Sequence, residues 1–220
     1  MPTRQNNFAY LLVALVIYLV ALPLLEEFDV AGDNVIRVLS YSTLLVIGVW
    51  SLNESGKPFR IGMTIVIAAM ILNLISYKSE NIAYTHATVG LLALFLTMML
   101  FATMKQVLLQ DSVNVNRIYG AVCAYLLLGV IWALAYATLH QVSPDAFRGI
   151  SDADKSEMGV LWLYYSFVTL STLGYGDITP VSPAARVLAY TQAIFGAFYM
   201  AILVAGLVGV YISTKVSKEE

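Results

Sequence analysis

An all-α integral membrane protein with six spanning helices and one re-entrant helical element is the fold class this sequence predicts. Three observations carry the prediction. Mean hydropathy is +0.78. Only 12% of residues are charged, against about 25% in a typical soluble domain, too few to cover a water-exposed surface. The charges that do occur delimit charge-free runs at Phe8–Leu25, Val38–Asn53, Ile61–Tyr77, Asn81–Met104, Ile118–Leu139 and Val187–Thr214. Each run is near or above the roughly 17–25 residues that cross a hydrocarbon core.

The first run holds 18 residues, is preceded only by Arg4 as a basic residue and is followed by no A-x-A site. It is therefore expected to span and not to be cleaved as a signal peptide. The second and third runs are the shortest, so their ends are the least defined. The polar stretch "QDSVNVNR", Gln110–Arg117, separates two modules. Residues 1–109 form a four-helix peripheral domain, 110–116 a linker, 117–214 a two-helix domain and 215–220 a short tail. No soluble domain is expected after Thr214. Between the fifth and sixth runs lies Gly159–Leu170, too short to span and suited to a buried or re-entrant helix.

Loop charges set the orientation. With the N-terminus inside, seven of the twelve basic residues fall on the cytoplasmic side (Arg4, Lys57, Arg60, Lys105, Arg117, Lys215, Lys218). The other five (Arg37, Lys78, Arg148, Lys155, Arg186) fall outside. The bias places both termini in the cytoplasm of a multi-pass cell-membrane protein, plasma or inner membrane. Cys123 is the single cysteine, so no intrachain disulfide forms; it reads as a small core residue.

Directly after the short apolar patch comes "TLSTLGYGDITP", Thr169–Pro180. Non-helical backbone at membrane depth is tolerated only where it is buried in protein or lines a water-filled cavity. Gly174 and Gly176 accept backbone angles closed to other residues, so successive carbonyls can turn to one side. Carbonyls of Thr172, Leu173, Gly174 and Tyr175, with the Thr172 hydroxyl and Gly176, would form a row of hard neutral ligands for an alkali cation. The side chains of Leu173 and Tyr175 would then pack behind the strand.

These residues resemble the selectivity filter of tetrameric potassium channels, in which the closely similar TVGYG is the common form. The surrounding order strengthens the likeness: a short apolar helix before the motif, Asp177 immediately after it as in the family's "GYGD", then a long helix. The resemblance implies a voltage-gated-channel-like layout and potassium ions as the permeant ligand at Thr172, Leu173, Gly174 and Tyr175. It implies no cofactor, no nucleic acid, and a lipid bilayer as surroundings. One filter strand per chain implies three further identical subunits, since the cage is built from four strands. Leu173 stands where the common form has valine.

Tyr164 and Tyr165 occupy the places where many members carry two tryptophans that brace the filter. The resemblance implies filter support there, with Tyr164 hydrogen-bonded to Asp177. Val168 stands where some prokaryotic members carry a glutamate, so that pairing is lost here. Gly196, 21 residues after Tyr175, matches the family's inner-helix hinge. Mid-helix glycine favours bending, but it equally suits close packing of small residues, and both readings stay open.

A voltage sensor moves several basic residues through the field, each worth about 2.3 kcal/mol per 100 mV. The fourth run carries none before Lys105, so little intrinsic voltage dependence is expected. Asn73 suits a helix–helix hydrogen bond, and His86 a satisfied interfacial group or, less often, a pH sensor. No catalytic set, metal-ligand cluster or phosphate loop appears, and the two histidines, His86 and His140, lie far apart. Passive transport is expected, not enzymatic work. A weakly selective cation channel and a non-conducting scaffold are the rival readings.

Overall fold

The structure, a computed structural model, describes residues 7–27, 56–79, 82–109, 114–151 and 158–216. It is mostly helical and divides into two compact units, Met1–Leu109 and Gln110–Glu220. Each is described by itself.

In the first unit α1 runs Asn7–Glu27, α2 Gly56–Ser79 and α3 Ile82–Leu109. Pro23 sits inside α1, near its end. Buried positions recur at helical spacing: Phe8, Leu11, Leu15 and Tyr18 on α1, and Leu92, Phe95, Leu96, Met99, Thr103 and Val107 on α3. This is the i, i+3, i+4 stripe of a helix with one packed face. α2 and α3 pack on each other. The expected run Val38–Asn53 and the side chain of Asn73 lie outside the described residues.

The second unit begins with α4, Val115–Val142. Asn114 caps it by accepting the Arg117 N–H at 2.9 Å, which satisfies one of the orphan donors of the first turn. A 3-10 turn, Pro144–Ala146, and a short strand β1, Phe147–Arg148, follow. Helix α5 runs Met158–Leu170. After the motif, strand β2, Thr179–Pro180, pairs antiparallel with β1, Phe147 opposite Pro180 and Arg148 opposite Thr179. The Val181 N–H also donates to the Ala146 carbonyl at 2.8 Å.

The last helix starts at Pro183 behind the cap Ser182, whose hydroxyl accepts the Ala185 N–H. Proline at the first helical position loses no hydrogen bond. This helix has three parts: α6, Pro183–Phe198, a π-helical turn, Tyr199–Val204, and α7, Ala205–Val216.

Three helices among the described residues are long and apolar enough to cross a membrane: His86–Leu109, Val115–Val142 and Pro183–Ser213. The apolar stretches Phe8–Ala21, Arg60–Leu72 and Met158–Leu170 are shorter. The described structure therefore supports three of the six expected spans by length. The short apolar patch is a helix of 13 residues, as its length required.

In lipid, helices gain little from hydrophobic transfer and associate through close packing of small residues. α4 follows this rule: Gly120, Ala121, Cys123, Ala124, Gly129 and Ala133 are buried on it. α5 and α6 both pack against it. Trp162, 1% exposed, anchors the unit among the rings of Tyr136, Phe147 and Tyr165, at 6.3, 4.7 and 6.0 Å.

Candidate functional site: the Thr172–Asp177 strand

α5 ends at Leu170, and the chain turns back on its own last carbonyls. The Ser171 N–H donates to the Phe167 carbonyl and the Thr172 N–H to Thr169, both at 3.0 Å. The Val168 carbonyl accepts two amides, from Leu173 at 3.0 Å and Gly174 at 3.3 Å. Val168 thus contributes its backbone to the site. These bonds fix the start of the strand on the carboxyl end of α5, where the partial negative charge of the helix dipole lies.

Positive φ recurs at every second residue: Thr172 at 59°, Gly174 at 58° and Gly176 at 80°. Leu173 and Tyr175 between them have negative φ. An extended chain points successive carbonyls to opposite sides; a change of hand at alternate residues undoes that, so successive carbonyls fall on one side. Among the described residues, no donor reaches the carbonyls of Thr172, Leu173, Gly174, Tyr175 or Gly176. All five residues are exposed. A row of unpaired carbonyl oxygens on one side of a strand can replace the hydration shell of a monovalent cation, because each is a hard, neutral donor.

The far end of the strand is held from two directions. The Tyr164 hydroxyl donates to Oδ2 of Asp177, and the Ile178 N–H donates to Oδ1 at 2.9 Å. The Tyr164 bond, with that amide, holds the carboxyl of Asp177 below its ordinary value although burial works the other way. The same bond pushes the Tyr164 phenol up to about 12. The ring of Tyr164 stacks on Tyr175, centroids 6.5 Å apart and planes within 7°. From the other side comes Gly149, with φ 92°: a Cβ there would lie 1.8 Å from the Asp177 carbonyl oxygen. Only glycine lets the β1 segment approach so closely.

Tyr165 faces elsewhere. It is buried, with ring contacts to Tyr136 at 4.7 Å and Phe147 at 5.6 Å, so it packs the aromatic core while Tyr164 meets the strand. Adjacent residues on a helix point about 100° apart, which separates the two tyrosines. Tyr175 stacks on Tyr164 and is 67% exposed, and Leu173 is 56% exposed, within this one chain.

Gly196 is buried against the end of α5: a Cβ on it would come within 2.1 Å of the Leu170 carbonyl oxygen. Close approach is what this position shows. The departure from regular α-helix lies three residues on, in the π-helical turn Tyr199–Val204. Gly206 and Gly209 have open space around them. His86 is exposed on α3.

A set of polar contacts escaped the sequence reading: Tyr136 to Gln192, Gln192 to Ser166, and Ser166 to the Gly129 carbonyl. Gln192 is the single amide side chain within the charge-free run Val187–Thr214, and that was the available signal. An amide in a membrane helix is costly unless bonded.

The chain resembles known proteins over this unit. Residues 121–213, which enclose the whole strand, match a family described as "Ion channel". A protein named two pore potassium channel c, from Oryza sativa subsp. japonica, is 35% identical over 85 residues, 39% of this chain and 17% of its own. Two-pore potassium channel 5 of Arabidopsis thaliana is 33% identical over 84 residues, 38% of this chain and 18% of its own. Two-pore potassium channel 4 of the same plant is 30% identical over 90 residues, 41% of this chain and 32% of its own. The matched stretch spans a third or less of each of these relatives. No solved structure matches. The part of the chain that carries the carbonyl row is thus the part that is similar to ion channels.

Proposed function

We propose that this chain is one subunit of a homotetrameric potassium channel, conducting passively through a central pore and gated with little intrinsic voltage dependence. The observation that carries the reading is the row of unpaired carbonyls from Thr172 to Gly176, ordered by positive φ at alternate residues. Rings of such carbonyls replace the hydration shell of K+ in potassium-channel filters. The match of residues 121–213 to a family described as ion channels, and the likeness to proteins named potassium channels, support it.

In this reading Thr172, Leu173, Gly174 and Tyr175 coordinate the ion and Gly176 shapes the outer mouth. Asp177 and Tyr164 hold that mouth in place. α5 is the re-entrant pore helix, and the Pro183–Ser213 helix lines the cavity. Four copies supply four strands. Leu173 and Tyr175, 56% and 67% exposed in one subunit, would be covered in the ring by a neighbouring copy. The first unit is a peripheral domain that lacks the basic residues of a sensor, and both termini lie in the cytoplasm.

The test is ion flux into liposomes that contain the purified full chain. K+ is expected to pass while Na+ remains at the level of protein-free liposomes. Absence of K+ flux, or equal flux of both ions, would overturn the reading.

A further inference from the structure

Within the second unit a run of buried hydrogen bonds joins all three helices. The Tyr136 hydroxyl on α4 donates to Oε1 of Gln192 on α6 at 2.6 Å. Nε2 of Gln192 donates to the Ser166 hydroxyl on α5 at 2.7 Å. That hydroxyl donates in turn to the Gly129 carbonyl, back on α4, at 2.7 Å. Tyr136, Ser166 and Gln192 are each 0% exposed. All three bonds run in one direction, donor to acceptor, an arrangement in which each bond polarises the next.

Further contacts lie about one helical turn along the same faces. Four residues beyond Ser166, the Leu170 carbonyl accepts the Tyr125 hydroxyl at 3.3 Å. It also lies against Gly196, four residues beyond Gln192. Beyond that, Tyr199 donates to the Ala121 carbonyl at 2.6 Å. Residues four apart share one face of a helix, so these are successive rungs between the same three elements. Leu170 is the last residue of α5, and Thr172, the first carbonyl of the row, is two residues away. Where α6 holds α5 therefore decides where the row begins.

We infer that Gln192 is a positioning residue for conduction: by gripping Ser166 it fixes α5 to α6 and passes any displacement of the inner helix to Thr172. Among the described residues the side chain of Gln192 bonds to Tyr136 and Ser166 and not to the strand, so its effect runs through α5. The inference rests on the channel reading above for what the strand does. The contacts it uses are independent of that reading.

The test uses two variants of the full chain in liposomes, with two readouts. Gln192→Leu removes both bonds at similar volume and leaves the Ser166 and Tyr136 hydroxyls without this partner. K+ flux per tetramer is expected to fall about tenfold, as the loss of a buried hydrogen bond implies. Amide exchange at Leu173 and Gly174, whose N–H groups bond to the Val168 carbonyl, is expected to accelerate. Gln192→Glu guards against a variant that merely folds badly. Its neutral carboxyl offers one acceptor and one donor and so can replace both bonds; its ionised form cannot donate to Ser166.

Burial at this site raises the introduced carboxyl above its ordinary value of about 4.3, so flux of Gln192→Glu relative to wild type is expected to be close to unity at about pH 5 and about tenfold lower at about pH 9. The titratable side chain on this run of bonds is Tyr136, and Tyr165 packs against it with ring centroids 4.7 Å apart. They are present in wild type as well and cancel in the ratio. Wild-type flux and exchange in Gln192→Leu, or a Gln192→Glu ratio equal at the two pH values, would overturn the inference. A wild-type chain that passes no K+ would instead overturn the channel reading. Exchange at Leu173 and Gly174 would then decide alone whether Gln192 positions the strand.

Discussion

Thr172 is the one non-glycine residue with a left-handed φ among those described, and it is β-branched. Such a residue there is strained, at a cost of order 1–3 kcal/mol, and persists only where its surroundings dictate the backbone. The turn-back of the Ser171, Thr172, Leu173 and Gly174 amides onto α5 supplies that constraint. At the opposite end of the strand, the Tyr164–Asp177 bond sets a pH dependence. The folded carboxyl of Asp177 is held below its ordinary 3.8, mainly by the Tyr164 bond. Its contribution is therefore complete above 3.8 and is lost as pH falls through the lower folded value. Tyr164→Phe removes the main cause, so the acid midpoint of K+ flux should move up toward the ordinary carboxylate value. An unchanged midpoint in a flux–pH titration would show that the bond does not control this end of the strand. Gly174 and Gly176 were legible in the sequence because they act on their own stretch of backbone, whereas the Tyr164–Asp177 bond, 13 residues apart, was expected only from the resemblance. The role of Gly149 was not legible, since its partner, the Asp177 carbonyl, is 28 residues away and across a loop.

At the scale of elements, the short helix α5 is the member that everything else grips. α4 gives it a bed of small residues, the β1–β2 pair ties down the segment beyond the strand, and α6 meets its last carbonyl at Gly196. The sequence could not separate a hinge from a close contact at Gly196, because both need the same missing Cβ. The Leu170 carbonyl oxygen at 2.1 Å from that Cβ position shows the close contact. Gly196→Ala should therefore destabilise the assembled protein by about 1–3 kcal/mol through overpacking. The check is thermal unfolding in detergent. A hinge role alone would leave the midpoint unchanged or raise it, because alanine favours helix. The polar rungs between helices were illegible for a related reason. Hydropathy places Gln192 inside a spanning run but says nothing of Tyr136 and Ser166, which come from other elements. The last helix departs from regular α-helix in the π-helical turn Tyr199–Val204, and such turns often mark functional sites.

For the molecule as a whole, hydropathy reads well where helices are long and uninterrupted: His86–Leu109, Val115–Val142 and Pro183–Ser213. In the first unit the apolar stretches found among the described residues of α1 and α2, Phe8–Ala21 and Arg60–Leu72, are shorter. The proposed tetramer accords with what one subunit leaves open. Val187, Tyr190, Ile194, Phe195 and Phe198 are exposed on α6, and the carbonyl row has only one wall. Four copies around an axis would close both. The central claim is that this row binds dehydrated potassium, and rubidium can report it by anomalous scattering because it is similar in size and charge. Crystals of the full chain grown with Rb+ in place of K+ should show a column of anomalous peaks on a fourfold axis, level with the carbonyls of Thr172, Leu173, Gly174 and Tyr175. A fourfold assembly with no anomalous density along that strand, or a chain that crystallises with its strands apart, would contradict the account.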